Sequence, residues 1–150
     1  MSAAVLIVED GDEYLSNLSR FVPGPRYLQA RGAEAALALL RSERIGVIYL
    51  DMRFDRLPRE ALVGDIERLT RELGAERAYR QLENNQGLYI LEALREAGYG
   101  AIPVILAYDF SREPDRFAHL ARRHPALTWV PDAITPDEIR ARLQRLMPCG

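Results

Sequence analysis

This sequence has little of what marks a metalloprotein, a disulfide-stapled scaffold or a membrane protein. Its 150 residues contain one cysteine, Cys149, and two histidines, His119 and His124. A single thiol forms no intramolecular disulfide, no metal-ligand spacing surrounds it, and two isolated imidazoles do not build a zinc site. Both histidines read as surface residues of a helix. No apolar run approaches the length that crosses a bilayer. The first apolar stretch, Ala3 to Val8, is too short for a secretory leader and has no basic residue before it, so a cytoplasmic location is expected. A dominant charge is also missing: 20 basic residues stand against 22 acidic ones, for a net charge of −2. The arginines alternate with acids along prospective helices, as solvated faces do, so neither nucleic acid nor a membrane surface is expected as a partner.

What remains is an ordinary globular chain, 48% hydrophobic and 28% charged, of a length that suits one domain (1–150) with one core. Val5-Leu6-Ile7-Val8 is a short, continuous apolar run that ends in Glu9-Asp10-Gly11. Such runs suit strands buried on both faces. A helix over Glu13 to Arg20 is broken by Pro23-Gly24-Pro25, and Tyr27 to Ala30 reads as a second strand. Ala33 to Arg44 carries the Ala and Leu stripe of a helix. Ile45 to Leu50 is a third buried strand with Asp51 at its C-terminal end. Further on, the pattern predicts a helix over Leu88 to Ala97 ended by Gly98, a strand over Ile102 to Leu106, a helix over Asp115 to His124 and a strand over Leu127 to Val130. Thr135-Pro136-Asp137-Glu138 has the form of a helix start, with Thr135 as N-cap, Pro136 at N1 and Glu138 at N3. Ile139, Leu143 and Leu146 supply the buried face of that last helix.

Strand and helix alternate throughout, which predicts a doubly wound α/β domain with a five-stranded parallel sheet. Residues 52–86 interrupt the alternation. Leu62, Ile66, Leu69 and Leu73 recur at helical spacing, Gly74 breaks the pattern, and Ala78, Tyr79 and Leu82 line a second helical piece. The segment therefore reads as an ordered helical insertion after the third strand. Its apolar stripe suits packing on its own domain and, equally, a homodimer or partner surface.

Ligands of open parallel sheets bind beyond the carboxyl ends of the strands. Glu9, Asp10 and Asp51 all fall there. Three oxygen-rich side chains without a histidine or thiolate suit a hard cation such as Mg²⁺. With such a cation, Asp51 has the chemistry of a phosphoryl acceptor, because a carboxylate attacking a phosphoryl group needs its charge neutralised.

These residues carry a resemblance to the response-regulator receiver family. Val5-Leu6-Ile7-Val8-Glu9-Asp10 resembles the family's first strand and acidic pair, and Val47-Ile48-Tyr49-Leu50-Asp51-Met52 its phosphoacceptor strand. Gly87-Leu88 looks like the start of its third helix, Ile102-Pro103-Val104-Ile105 its fourth strand, and Thr135-Pro136-Asp137-Glu138-Ile139 its last helix. The match runs from end to end apart from the insertion. It implies a flavodoxin-like receiver fold, Asp51 as the phosphoacceptor, and Mg²⁺ held by Glu9, Asp10, Asp51 and the backbone carbonyl of Arg53. It also implies signalling through a protein partner, with no enzymatic activity of its own.

The departures from the family are specific. Counted without gaps from Pro103, the family's Ser or Thr position falls on Tyr108. Counted back from Ile139, its lysine position falls on Asp132, and no lysine lies near this stretch. A phenol and a further carboxylate, with Asp109 close by, are expected to face the site, where unbalanced carboxylates repel each other and a phosphoryl group alike. The aromatic switch position falls on Trp129, which needs more room to swing inward than Tyr or Phe. The expected function is thus a standalone, atypical receiver that binds another protein through the face built by residues 109 to 146. The alternative is a conventional Mg²⁺-dependent receiver phosphorylated on Asp51 by a histidine kinase. In that case Arg53, Arg56 and Arg59 of the insertion supply the missing cation; the simpler reading of these arginines is a solvated basic face. A third reading, a haloacid-dehalogenase-type phosphotransfer enzyme, wants a second Asp two residues after the first, where Arg53 stands.

Overall fold

A computed structural model describes residues 2–131 and 133–148. Five parallel strands form one sheet: β1 (Ala4–Val8), β2 (Arg26–Ala30), β3 (Ile45–Asp51), β4 (Val104–Ala107) and β5 (Leu127–Val130), in the order β2-β1-β3-β4-β5. The helices are α1 (Glu13–Phe21), α2 (Ala33–Ser42), α3 (Ile66–Leu73), α4 (Ala75–Asn84), α5 (Gln86–Leu94), α6 (Pro114–Arg123) and α7 (Pro136–Leu146). This is the doubly wound arrangement that the alternation predicts.

The alternation of side chains along each strand explains the two layers. Leu6, Val8, Ile48, Leu50, Val104 and Leu106 pack with Ala36 and Leu40 of α2 and with Ile90, Leu91 and Leu94 of α5. Val5, Ile7, Val47, Tyr49 and Ile105 pack on the other face with Leu18 of α1 and with Ile139 and Leu143 of α7. Each such Leu, Ile or Val contributes roughly 1.5–3 kcal/mol through burial. The fourth strand starts at Val104, two residues later than the sequence pattern suggests. Pro103 has no N–H to give to the ladder, yet its carbonyl still accepts from Ile48 at 2.9 Å. The last helix starts as expected, with the Thr135 hydroxyl accepting from the Glu138 amide at 3.3 Å.

The segment after β3 is a single turn of 3-10 helix, Arg59–Ala61, followed by α3 and α4. Its apolar stripe is spent on its own chain: Leu69, Ala78 and Leu82 are buried, with Leu62, Ile66, Leu73, Tyr79 and Tyr89 packed around them. Two features attach this small cluster to the main core. Phe54 is fully buried in the main core, and its amide donates to the Glu83 carbonyl at 2.9 Å. Gln86, also fully buried, accepts from the Val63 amide at 2.9 Å and donates to the carbonyls of Val63 and Leu82 at 3.0 and 3.1 Å. One amide side chain thereby satisfies three backbone groups, one of them buried. Gly64 passes close by at φ 136°, where an added Cβ would sit 2.4 Å from Leu82.

His124 corrects the expectation of a surface residue. It is buried just after α6, and its Nε2 lies 3.4 Å from Glu92 Oε2. Burial holds its pKa below the ordinary histidine value, against the opposing pull of Glu92. Gln86→Leu should keep the volume near Val63 but leave its N–H without a partner. We expect a loss of about 1–3 kcal/mol in urea unfolding and faster amide exchange at residues 62–66 than elsewhere.

Candidate functional site

The sheet register brings the ends of four strands level. Val8 pairs with Leu50, Asp51 with Ala107, and Ala107 with Val130. The loops after β1, β3, β4 and β5 therefore open on the same edge; Glu9, Asp10, Arg53 and Tyr108 lie in them, Asp51 is the last residue of β3, and Trp129 lies within β5.

Glu9 is 1% exposed, and both its oxygens are engaged. Oε1 accepts from the Tyr14 amide and Oε2 from the Leu15 amide, each at 2.9 Å, and Oε2 also accepts from Gln29 Nε2 at 3.2 Å. Asp12, at the N-cap position of α1, makes no side-chain cap bond and pairs instead with Arg31 at 2.6 Å. Glu9 takes over the cap from three residues upstream. A carboxylate facing the exposed N–H groups of a helix start is stabilised by both the hydrogen bonds and the dipole. Expected as a metal ligand, Glu9 here serves α1.

Asp10 is half-buried, and its Oδ2 accepts from the backbone amide of Arg56 at 2.8 Å. Asp51 closes β3, with its Oδ1 2.8 Å from the amide of Met52. The start of α5 presses against this strand end from below. The Gly87 amide donates to the Met52 carbonyl at 2.8 Å, and an added Cβ at Gly87 would fall 2.3 Å from the Asp51 carbonyl oxygen and 2.9 Å from Met52 Cα. Only a residue without a side chain fits there, because both obstructing atoms are backbone.

The three insertion arginines diverge. Arg53 pairs with Asp55 at 3.3 Å. Arg59 turns towards α4, pairs with Glu76 at 3.2 Å and lies 4.5 Å from the centre of the Tyr79 ring. Arg56 alone returns to the β1–α1 loop. Its Nη2 lies 2.5 Å from Glu13 Oε1, and its Nη1 covers Gly11 so closely that a Cβ there would stand 1.9 Å away. The hydrogen bond from Arg56 holds the Glu13 carboxyl below the usual carboxylate range. Taken together, the donor set does not fit a bound Mg²⁺. Glu9 already accepts three N–H groups, Asp10 accepts from the Arg56 amide through Oδ2, and among the described residues no three His, Cys, Asp or Glu side chains are placed to hold a metal ion.

After β4, the Tyr108 hydroxyl donates to Glu113 Oε2 at 2.5 Å, and the Tyr108 ring stands edge-on to Phe110 at 4.6 Å. Arg116 binds Glu113 at 3.2 Å and Asn85 Oδ1 at 2.7 Å, and lies 5.5 Å from the centre of the Tyr108 ring. The hydrogen bond to Glu113 raises the Tyr108 pKa, and the same bond lowers that of Glu113. Asp109 folds back on its own turn, accepting from the Ser111 amide at 2.9 Å. Trp129 is half-buried against Phe110 and Phe117, at 6.0 and 6.5 Å between ring centres. Asp132 lies outside the described residues.

Sequence reading did not pick out Asn85, Glu113 or Arg116. The Glu113–Arg116 spacing at a helix start was a usable signal for an ion pair; nothing local points from Arg116 to Asn85. All 20 basic residues of the chain are arginine, so no lysine exists anywhere to take the family's conserved position.

Gly87→Ala should push the start of α5 off the end of β3 and cost about 1–3 kcal/mol in urea unfolding, as overpacking against backbone does. Tyr108→Phe should return the Glu113 carboxyl towards the ordinary value of about 4.3 in a carbon-13 titration. In wild type the Glu113 pKa is depressed on folding, so the stability that this contact adds is present above the unfolded value. It is lost as the pH falls through the depressed one.

No protein-family model matches the sequence, and no curated protein matches it. Solved structures do resemble it. The chemotaxis protein CheY4 of Vibrio cholerae aligns with 97% of this chain and 99% of its own, at 19% identity and a TM-score of 0.63. The receiver domain of the Francisella response regulator 1452 aligns with 96% of this chain and 95% of its own, at 17% identity and a TM-score of 0.63. The receiver domain of a signal transduction histidine kinase from Syntrophus aciditrophicus aligns with 97% of this chain and 89% of its own, at 17% identity and a TM-score of 0.63. The chain has the fold of the response-regulator receiver domains.

Proposed function

We propose that this chain is an atypical receiver module of a cytoplasmic signalling system, which acts by binding another protein and not through a phosphorylation cycle at Asp51. The observation that carries this reading is the environment of Tyr108. It stands where the family places a small hydroxyl, and its O–H is given to Glu113 at 2.5 Å within a network that includes Arg116 and Asn85. A phosphoryl group on Asp51 would find no small hydroxyl and no lysine ammonium to hold its oxygens. We assign it no enzymatic role, in keeping with its structural neighbours, which are signalling receiver domains.

The partner face is the one formed by α6, β5 and α7. It carries a groove of about 640 Å³ lined by Phe117, Leu127, Thr128, Trp129, Pro131 and Leu146 together with Arg142 and Arg145. Apolar surface beside polar and charged groups is the usual anatomy of a protein-binding patch.

A conventional phosphoacceptor served by a histidine kinase is the second reading. It is favoured by the place of Asp51, at the C-terminal end of the central strand, one register step beyond the pair Val8 and Leu50. It requires Asp10 to leave the Arg56 amide before a divalent cation could be accepted.

Incubation with Mg²⁺ and acetyl phosphate, read by intact mass, separates the two. We expect no phosphate adduct on the folded protein. An adduct that Asp51→Asn abolishes would replace our reading with the second one.

A further inference from the structure

The acid-lined edge of a receiver sheet needs a positive charge to keep its carboxylates together, and here the insertion brings one. Arg56 approaches the β1–α1 loop with two groups at once. Its amide donates to Asp10 Oδ2 at 2.8 Å, and its guanidinium pairs with Glu13 while lying over Gly11. The carboxylates of Asp10 and Asp55 add favourable charge to that of Glu13. The contacts span 46 and 43 residues of sequence, so the insertion is what delivers them. Gly11 is buried beneath the guanidinium, which lies where a Cβ at this position would stand.

We propose that Arg56 is the built-in counter-ion of this pocket, occupying the role that a divalent cation plays in receiver folds and thereby keeping Mg²⁺ out. The inference rests on the binding-module reading above and deepens it, since it names what holds the pocket in one state. A guanidinium is charged at every physiological pH and is tethered by the chain, so the neutralisation is permanent and not set by the metal concentration. A divalent ion at Asp10 would meet a carboxylate that already accepts the Arg56 amide and would bear the repulsion of the guanidinium beside it.

The test is a Mg²⁺ titration of the full chain without any phosphodonor, followed by amide shifts in nitrogen-15 spectra. Its outcome is therefore independent of whether Asp51 can be phosphorylated. We expect millimolar Mg²⁺ to leave residues 9–13 and 51–57 of wild type unshifted. In Arg56→Gln, where the charge is gone, saturable shifts should appear at Asp10 and Gly11, and amide exchange of the β1–α1 loop should rise about two- to fivefold, the size expected for an exposed ion pair. Arg56→Lys, which retains a charge, should remain unresponsive to Mg²⁺. Arg56 and Glu13 are both more than half exposed, so these variants are expected to fold; dispersed spectra would verify it, and Glu13→Gln provides a second way to loosen the guanidinium. Saturable shifts in wild type would overturn the proposal. So would a Mg²⁺ response that is the same, present or absent, with and without the Arg56 charge.

Discussion

The parallel pairing of β1 with β3, which sets Val8 opposite Leu50, governs where any polar group of this molecule can act. Both faces of these strands are buried under helices, so their side chains are committed to packing. Polar chemistry is confined to the residue after the last buried one: Glu9 and Asp10 behind Val8, Asp51 behind Leu50. A slip of one residue would send Leu6 and Val8 to the layer of Val5 and Ile7 and would separate the acids from each other. Hydrophobic burial of several strands thus fixes the end of the sheet at which these carboxylates lie.

Most of the fold was legible because its causes are local. Val5 to Val8 and Ile45 to Leu50 are apolar without interruption, as central parallel strands must be, and Thr135 announces its helix through the hydroxyl that caps Glu138. The helix after β3 was legible from the spacing of Ile66, Leu69 and Leu73, whereas Leu62, expected on the same stripe, lies before α3 in extended backbone; the stripe is buried against α4 and Tyr89. The site was legible in composition and not in wiring. No local pattern shows that Glu9 will cap α1 in place of Asp12, because Asp12 is the better residue by position and loses only because Arg31 and Gln29 draw it aside. His124 reads as surface because its burial depends on α5 packing behind it, where Glu92 meets it.

Seen from the insertion, the two sides of the site are related. Its first residues supply Arg56 to the β1–α1 loop, and its last residue before α5 supplies Asn85 to Arg116, which in turn holds Glu113 and touches the Tyr108 hydroxyl. Between them, Gln86 ties α5 to the segment before it through three backbone groups of Val63 and Leu82. Each of these contacts is modest in energy, but they share rigid supports, so the loops at the two sides are held by one element.

The restriction of positive charge to arginine has a chemical consequence of its own. These 150 residues contain no ε-amino group. Acylation of lysine, or the isopeptide bond that attaches ubiquitin-like tags to it, has no side chain to act on here. The basic surface is thereby closed to the modifications that most often erase charge in a signalling protein, and its positive potential is as constant as its fold.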